Sequence, residues 1–369
     1  MNQNLKQSNA IAYLRQLCCL GLDKGIVIPE FLRAVQTVIP SGSNTFTGVD
    51  ERFTPSYHLL EFVPTEFDEV TPLVVSSFYT PERLSRGANW FRQHQVCTDM
   101  TVLDESFYES DMYNLVFRPF DQHHALNSPV MQLGKPVGMV ALYRPCQQKP
   151  FNSNEQALFV RLLPYVTHAL HTVDGKDIQY SENGSLGMMI MDTHGTILYL
   201  TNEAKNLLAL VCHPVLAANA CVKKNELLAK LARLCRDLDT IFRGKDAAPP
   251  AWSHTNDRGR FTFRAYWLNK QNNEPGGLVG MTIEHQEPLV LKILRAMQNL
   301  PLSSRQKEVA LMLAQGFSSE KIGERLHIKL TTVKDHIDKI FTKLDIYHRE
   351  ELLPKLLSMD SSKPVIRIW

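Results

Sequence analysis

The feature that most constrains the fold of this chain is the helical pattern of residues 302–357. Ser303 followed three residues later by Gln306 is typical of a capping box, which marks the start of a helix. Gly316 stands where a residue in the left-handed conformation commonly ends a helix. Ser318 can then cap a second, short helix, because its side chain can accept a hydrogen bond from the first helical turn. Short helices with defined ends are therefore predicted over this segment.

A third helix is predicted over residues 330–344, where apolar residues recur at helical spacing. Its apolar side consists of Val333, Ile337, Ile340, Phe341 and Leu344. Its outward side consists of Thr331, Lys334, Asp335, Asp338 and Thr342. Two short helices joined by a tight turn, the second exposing polar side chains, indicate a helix-turn-helix.

The segment resembles the C-terminal domain of LuxR-type (GerE-like) transcription regulators over its whole length. The residues that carry the resemblance stand in a fixed order and spacing: Leu302, Arg305, Glu308, Val309, Ala314, Gln315, Gly316, Ile322, Leu326, Ile328, Thr332, Val333, Lys334, His336, Ile337, Lys343 and Leu344. An amphipathic bundle of no special purpose would explain the apolar spacing alone. The resemblance implies an all-α, four-helix domain over residues 301–360 and a sequence-specific DNA-binding transcription regulator.

The resemblance also assigns DNA contacts to one surface of this domain. Lys334, Asp335 and Asp338 are expected nearest the base edges, because lysine suits guanine acceptors and aspartate can accept from the cytosine amino group. Flanking side chains are expected on phosphates, which set position rather than sequence. The full predicted set is Lys321, Thr331, Thr332, Lys334, Asp335, Asp338, Lys339, Thr342 and Lys343. His336 is expected to pack or hydrogen-bond within the domain.

Three residues depart from the family's pattern. Lys329 stands where a Ser or Thr cap is usual, and losing such a cap costs on the order of 1 kcal/mol unless Thr331 or Thr332 substitutes. Asp338 stands where related proteins often carry a basic or polar residue, so the operator is expected to differ. Pro354 is expected inside the last helix, where the family's dimer contact is usually made; an interior proline costs ~3 kcal/mol unless the helix is kinked or begins later. These departures leave open an interaction or signalling protein that keeps the fold without specific DNA binding.

Residues 1–173 alternate predicted helices and strands and end in a hairpin followed by a capped helix. The hairpin is predicted over residues 130–143, and the helix begins at Asn152 or Ser153 and ends near residue 171. A hairpin followed by a long closing helix resembles the end of a GAF domain. The resemblance implies a GAF-like sensor domain over residues 1–173.

Residues 185–285 contain a second α+β pattern. Strand, D-x-x-G turn, strand and an N-x-A helix start resemble the opening of a PAS domain. The predicted elements are strands 186–191 and 196–200, a helix from residue 202, a helix over 224–242, a loop through Pro249 and Pro250, and a closing hairpin of 260–268 with 277–284. Residues 286–300 are predicted as a linker helix. The predicted fold class is multi-domain, with α+β GAF-like and PAS-like sensor domains before the all-α helix-turn-helix domain.

Composition bears on the DNA affinity of the chain, the state of its cysteines and its location. Its net charge is +2 and its hydrophobic fraction is 44%, which is ordinary for a globular protein. Residues 302–357 contain ten Lys and Arg against eight Asp and Glu, so non-specific DNA affinity is expected to be modest and salt-sensitive. The seven cysteines lack metal-ligand spacing and are interpreted as reduced thiols. With no apolar run of ~20 residues, a cytoplasmic protein without a membrane partner is predicted.

The predicted partner is double-stranded DNA, and a small-molecule inducer, a homodimer and RNA polymerase are left open. An aromatic-rich stretch either lines a small-molecule pocket or belongs to a core; it contains Phe78, Tyr79, Trp90, Phe107, Tyr108, Tyr113 and Phe117. No cofactor, metal site or catalytic constellation is predicted. The receiver-domain, phosphate-loop and acyl-homoserine-lactone receptor patterns were not found, which disfavours those three inputs. An enzyme in the front region is the least favoured alternative.

Overall fold

The computed structural model describes the chain in eleven stretches of sequence. They are residues 3–61, 63–64, 74, 77–102, 104–171, 178–182, 184–212, 220–256, 258–269, 277–360 and 366–367. The α-helices are α1 (Gln3–Cys18), α2 (Lys24–Ala34), α3 (Pro81–Gln93), α4 (Ser153–Leu170), α5 (Asn202–Val211), α6 (Ala220–Phe242), α7 (Leu289–Ala296), α8 (Ser304–Ala314), α9 (Ser319–Leu326), α10 (Leu330–Leu344) and α11 (Leu352–Met359). The strands are β1 (Gly42–Val49), β2 (Pro55–Leu60), β3 (Val63–Pro64), β4 (His124–Gln132), β5 (Lys135–Arg144), β6 (Ser185–Met191), β7 (Ile197–Leu200), β8 (Ala251–Asn256), β9 (Gly259–Leu268), β10 (Leu278–Gln286) and β11 (Ile366–Arg367).

The first α+β unit contains a four-stranded antiparallel sheet of order β2-β1-β5-β4. Successive strand residues point to opposite faces, so Phe46, Leu126 and Val140 pack under α1, α2 and α4 while their neighbours face the other side. The β4–β5 hairpin turns at Leu133 and Gly134, which both have positive φ, 48° and 79°. Positive φ at both central residues is what a tight two-residue hairpin requires.

The predicted capped helix of this unit is α4. The Asn152 side chain accepts from the backbone of Glu155, whose carboxylate in turn accepts from the Asn152 backbone. Glu155 also receives the guanidinium of Arg144 at 2.6 Å. The end of the hairpin and the start of the helix are therefore joined by a charged pair of the buried Arg144 and the half-buried Glu155.

The second α+β unit contains a five-stranded antiparallel sheet of order β7-β6-β10-β9-β8. Met189, Phe261 and Phe263 lie in its separate core, against α5 and α6. The predicted turn after β6 is present: Asp192 Oδ1 accepts from the backbone of His194 and of Thr196. Strand β8 was not predicted, since the sequence indicated a loop there.

The helices α8 to α11 form the helical C-terminal domain. Its apolar residues join the core of the first unit, not that of the second, although the second is its neighbour in sequence. Contacts with α1 include Arg15 to Glu308 at 3.6 Å and the Gln16 amide to the Ser304 carbonyl at 3.4 Å. The predicted architecture is thus confirmed at the level of an α+β region with two sheets followed by a helical domain.

The segment between the second sheet and the helical domain contains α7, which is shorter than the predicted residues 286–300. Arg295 in this helix is buried and pairs with Glu287 at 2.7 Å, Asp360 at 3.4 Å and Glu30 at 3.8 Å. No helix among the described residues combines the length and apolarity that crossing a bilayer requires.

Candidate nucleic-acid interface

The first helix of the C-terminal domain has the predicted start and end. The Ser303 hydroxyl accepts from the Gln306 backbone at 3.2 Å, and the Gln306 side chain accepts from the Ser303 backbone at 2.9 Å. Gly316 follows the end of α8 with φ 88°. These contacts satisfy backbone groups that a helix end leaves unpaired, and they fix where the chain leaves α8.

The turn between α9 and α10 is equally defined. Ser318 caps α9 through the backbone of Lys321, and His327 ends it with φ 52°. The Ile328 backbone donates to the Gly323 carbonyl at 3.0 Å. A Cβ at Gly323 would lie 3.0 Å from the Ile328 carbonyl oxygen, so glycine lets the chain pass closely over α9. This turn sets the angle at which α10 leaves the domain.

Helix α10 buries one side and exposes the other. Val333, Ile340 and Leu344 are buried, and Ile337 and Phe341 are half-buried. All nine predicted contact residues are exposed: Lys321 on α9 and Thr331, Thr332, Lys334, Asp335, Asp338, Lys339, Thr342 and Lys343 on α10. The structure therefore brings them together on an outward surface that the α+β units do not cover in the described residues.

Some charged side chains of this surface have partners within the domain, and others do not. Asp335 pairs with Lys339 at 2.7 Å, one helical turn along. The Lys343 ammonium donates to the Pro301 carbonyl at 2.8 Å and to the Gln306 side chain at 2.9 Å. Neither Lys334 nor Asp338 forms an ion pair with any residue that the structure describes. Lys334 and Asp338 are thus the charged side chains of α10 that no ion pair or side-chain hydrogen bond holds among the described residues.

Two basic residues near α9 extend the surface. The guanidinium of Arg325 stacks on the Phe317 ring at 4.3 Å, and the Lys321 ammonium lies 5.8 Å from the same ring. Arg325 is exposed and was missed in the sequence, where nothing distinguished it from a solvated charge. The contact with Phe317 favours one position of the Arg325 side chain, because a guanidinium over an aromatic face is attracted to it.

The start of α10 lacks a side-chain cap, as was predicted from Lys329 at the cap position. No side chain among the described residues accepts from the first turn at Lys329. The pKa of Glu320, in the first turn of α9, is held below its ordinary value by a backbone hydrogen bond, by the Ser318 hydroxyl and by the charge of Lys334. The charge of Lys334 therefore reaches the start of α9, and the first N–H groups of α10 have no side-chain acceptor at Lys329.

Two residues singled out in the sequence, His336 and Pro354, lie outside the predicted contact set. The His336 ring is half-buried, and its Nδ1 has no hydrogen-bond partner among the described residues. Pro354 was expected in the interior of the last helix, but α11 begins at Leu352, so Pro354 lies in the first turn. The helix thus begins late enough for the proline to cost no hydrogen bond, because N–H groups of a first turn have no helical acceptor.

The capped α8, the tight turn after α9 and the exposed polar side of α10 define a helix-turn-helix protein. The family described as "Bacterial regulatory proteins, luxR family" matches residues 300–355. Residues 300–355 are a LuxR-type helix-turn-helix domain, and the resemblance predicted from the sequence is confirmed.

Two curated relatives illustrate the match. "Putative HTH-type transcriptional regulator YhjB" of Escherichia coli is 40% identical over 50 residues, which are 14% of this chain and 25% of that protein. "Response regulator protein VraR" of Staphylococcus aureus is 36% identical over 50 residues, which are 14% of this chain and 24% of that protein. The match thus spans about a quarter of the length of these relatives.

Among solved structures, the Vibrio cholera VqmA-ligand-DNA complex shares 18% identity over 50% of this chain and 87% of that chain, with a TM-score of 0.22. A phage VqmA-DPO complex shares 21% identity over 48% of this chain and 84% of that chain, with a TM-score of 0.18. TM-scores this low do not show a common arrangement of the chains.

Some residues of the aromatic-rich stretch of the first unit line a cavity, and others belong to a core. Phe78, Tyr79 and Phe117 line a cavity against the sheet. Phe107 is fully buried beside it, in ring contact with Phe78. Tyr108 and Tyr113 pack against that cluster, and Trp90 stacks on His94 at 4.0 Å instead. Part of this stretch is therefore core and part of it lines the cavity.

Proposed function

We propose that this chain is a sequence-specific DNA-binding transcription regulator in which α10 enters the major groove under control of the two α+β units. The observation that carries the proposal is the exposed polar side of α10 within a LuxR-type helix-turn-helix domain. A domain of this kind places its second helix in the groove, where side chains reach base edges.

Helical spacing supports a division of roles on this surface. At about 100° per residue, Thr331, Lys334, Asp335, Asp338 and Thr342 share one face of α10. Thr332, Lys339 and Lys343 lie on its flank, beside the start of α8. The unpaired Lys334 and Asp338 are the groups proposed to read bases, and the flank and Lys321 are proposed to contact phosphates. The uncapped start of α10 offers backbone N–H groups to a further phosphate.

Control by the α+β units is proposed from the shared core. Helix α8 packs on α1 of the first unit, so a change in that unit reaches the DNA-binding domain through direct contact. The proposal assigns GAF-like and PAS-like sensor roles to the two units and a small molecule as the inducer. It also includes a homodimer on paired half-sites, RNA polymerase as the target and a cytoplasmic location. A coupling of about 1–3 kcal/mol between sites is enough for a clear response.

The test is selection of bound sequences from a random DNA pool by the full-length chain, followed by titration of the selected DNA. A recovered consensus is expected. Lys334→Ala is expected to weaken binding to that consensus by about 1–3 kcal/mol and to relax specificity at one position. Lys230→Ala removes one exposed lysine from α6 and is the charge-matched control, expected to leave affinity unchanged. Equal binding by wild type and Lys334→Ala would overturn the assignment of α10.

The second candidate is an interaction protein that keeps the fold without specific DNA binding. It is favoured by the Asp335–Lys339 pair and by the exposed Asp338, which reduce the positive charge facing a groove. A steep salt dependence with no recovered consensus, or no binding by the folded chain, supports this candidate over the first.

A further inference from the structure

A cavity of about 100 Å³ lies on the outer face of the first sheet. Strand residues that alternate with the core line its floor, among them Thr45 on β1 and Ala141 and Tyr143 on β5. Gly87 and Phe91 of α3 face it from above. The buried Gly87 leaves space beside the cavity, at a helix-interior position where glycine is otherwise disfavoured.

The mouth of the cavity is built from a strained turn. Phe53, between β1 and β2, has φ 65°, a conformation that bulky side chains rarely adopt. Asp50 holds the turn, because its carboxylate accepts from the backbone of Arg52 at 2.9 Å and of Thr54 at 2.8 Å. The Phe53 ring stacks on Phe91 of α3, with centroids 6.0 Å apart. Strain of this kind persists where the surroundings fix it and is common at ligand sites.

Among the described residues that line the cavity, the one guanidinium is that of Arg83, and it is already paired. Arg83 donates to Asp104 at 2.5 Å and to the Phe78 carbonyl at 3.1 Å, and it stacks on the Phe78 ring at 4.6 Å. Its charge is therefore neutralised within the wall. A charged ligand would be buried without a counterion, which costs far more than burial of a neutral one.

The remaining polar groups are neutral. Burial raises the pKa of Tyr79 to about 12 and also raises that of Tyr143, so both phenols stay protonated. Tyr79 thus supplies a hydroxyl on the wall that can donate to an oxygen of a ligand.

We propose that this cavity binds a small uncharged molecule of about one ring, with a single hydroxyl or carbonyl oxygen. Apolar cavities of this order accept a single aromatic ring. The volume disfavours nucleotides and long acyl chains, and the pairing of Arg83 disfavours carboxylates and phosphates. The binding site stands by itself; its role as the input of the regulator rests on the function proposed above.

The cavity and the core that contacts the DNA-binding domain lie on opposite faces of the first sheet. On β1, Thr45 lines the cavity while the next residue, Phe46, is fully buried in the core on the opposite face. That core includes α1, which contacts α8 through Arg15 and Glu308. A ligand that repositions β1 therefore acts on the residues against which the helix-turn-helix domain packs.

The test titrates the full-length chain with phenol, benzene and benzoate by ligand-detected NMR. Phenol is expected to bind saturably, benzene about three- to tenfold more weakly because it accepts no hydrogen bond, and benzoate at least about tenfold more weakly than phenol. Ala141→Leu fills the floor of the cavity and is expected to weaken phenol binding at least about tenfold. Tyr79→Phe is expected to weaken phenol binding and leave benzene binding unchanged. Tyr199→Phe, an exposed tyrosine of the second sheet, is the matched control.

Three results would overturn the binding site: no saturable binding of phenol or benzene, benzoate binding more tightly than phenol, or wild-type phenol affinity in both Ala141→Leu and Tyr79→Phe. The tyrosine variant keeps the test valid if the leucine variant does not fold. Titration of the selected DNA with and without phenol then tests the input role, with a change of about fivefold or more expected. Phenol binding with unchanged DNA affinity overturns the input role alone. Absence of DNA binding with phenol binding intact overturns the proposed function and leaves the site.

Discussion

At the residue scale, His58 makes the stability of the first sheet depend on pH. It lies on β2 opposite Thr47, whose hydroxyl is 2.9 Å from the imidazole Nδ1. Burial lowers the pKa of His58 to about 4, against ~6.5 in an unfolded chain. Because protonation then favours the unfolded state, the stability from a neutral His58 is complete above pH ~6.5. It is lost progressively as the pH falls towards 4.

The prediction at this scale is that His58→Gln flattens the pH dependence of stability. Wild-type chain is expected to lose stability between pH 6.5 and 4.5 more steeply than the variant, because glutamine binds no proton. Urea unfolding at pH 7.0, 5.5 and 4.5 measures the difference. His168→Gln replaces an exposed histidine and serves as the control. Parallel curves for wild type and His58→Gln would contradict the prediction.

At the element scale, α10 combines buried apolar residues with an unassisted start. Its N-cap residue, Lys329, has the extended backbone of a cap but no side chain that can accept from the first turn. A serine there would accept a hydrogen bond from N–H groups that are otherwise left to solvent. The helix is therefore held by its packing and by the end of α9, not by its own first turn.

Lys329→Ser is accordingly predicted to stabilise α10 locally by ~1 kcal/mol. Hydrogen exchange at the amides of residues 333–336 measures this, because local opening of the first turn exposes them first. Lys329→Ala removes the same charge without adding an acceptor and is expected to give little protection. Equal protection in the serine and alanine variants would show that capping is not the cause.

The elements also show how far the sequence alone reaches. The capping boxes at Ser303 and Asn152 and the span of α10 were predicted correctly, since caps and helical spacing are local properties. Strand β8 was missed because its alternating residues are only half-buried and its ladder is supplied by β9 alone. The pairing of Lys343 with Pro301 and Gln306 was equally out of reach, because it depends on how α10 crosses α8.

At the scale of the whole molecule, Arg295 joins three parts of the chain. Its guanidinium meets Glu30 of the first unit, Glu287 after the second sheet and Asp360 after α11. Burial would raise the pKa of Glu287, but the charge of Arg295 more than reverses this and holds the pKa below its ordinary value. The Glu287 carboxylate therefore stays ionised in a buried site because the charge of Arg295 lies beside it.

Arg295→Met is predicted to destabilise the chain by about 3–5 kcal/mol, because it removes the guanidinium that pairs with the buried Glu287 carboxylate. The deficit should shrink as the pH falls, since Glu287 can then take up a proton. Urea unfolding at pH 7 and pH 5 measures both effects. Arg243→Met breaks an exposed pair with Asp239 on α6 and is expected to cost at most about 1 kcal/mol. Similar losses in the two variants would contradict the role given to Arg295.

The contact of α1 with the helix-turn-helix domain also has a consequence for synthesis. Gln16 and its partner Ser304 are separated by 288 residues. At ~5–20 residues per second, a ribosome takes about 15 to 60 seconds to bring the second after the first. The first unit must therefore persist with this side of α1 uncovered while two further segments are made. The contact between α1 and the helix-turn-helix domain therefore forms late in synthesis, and a stalled chain would expose that side of α1 to chaperones.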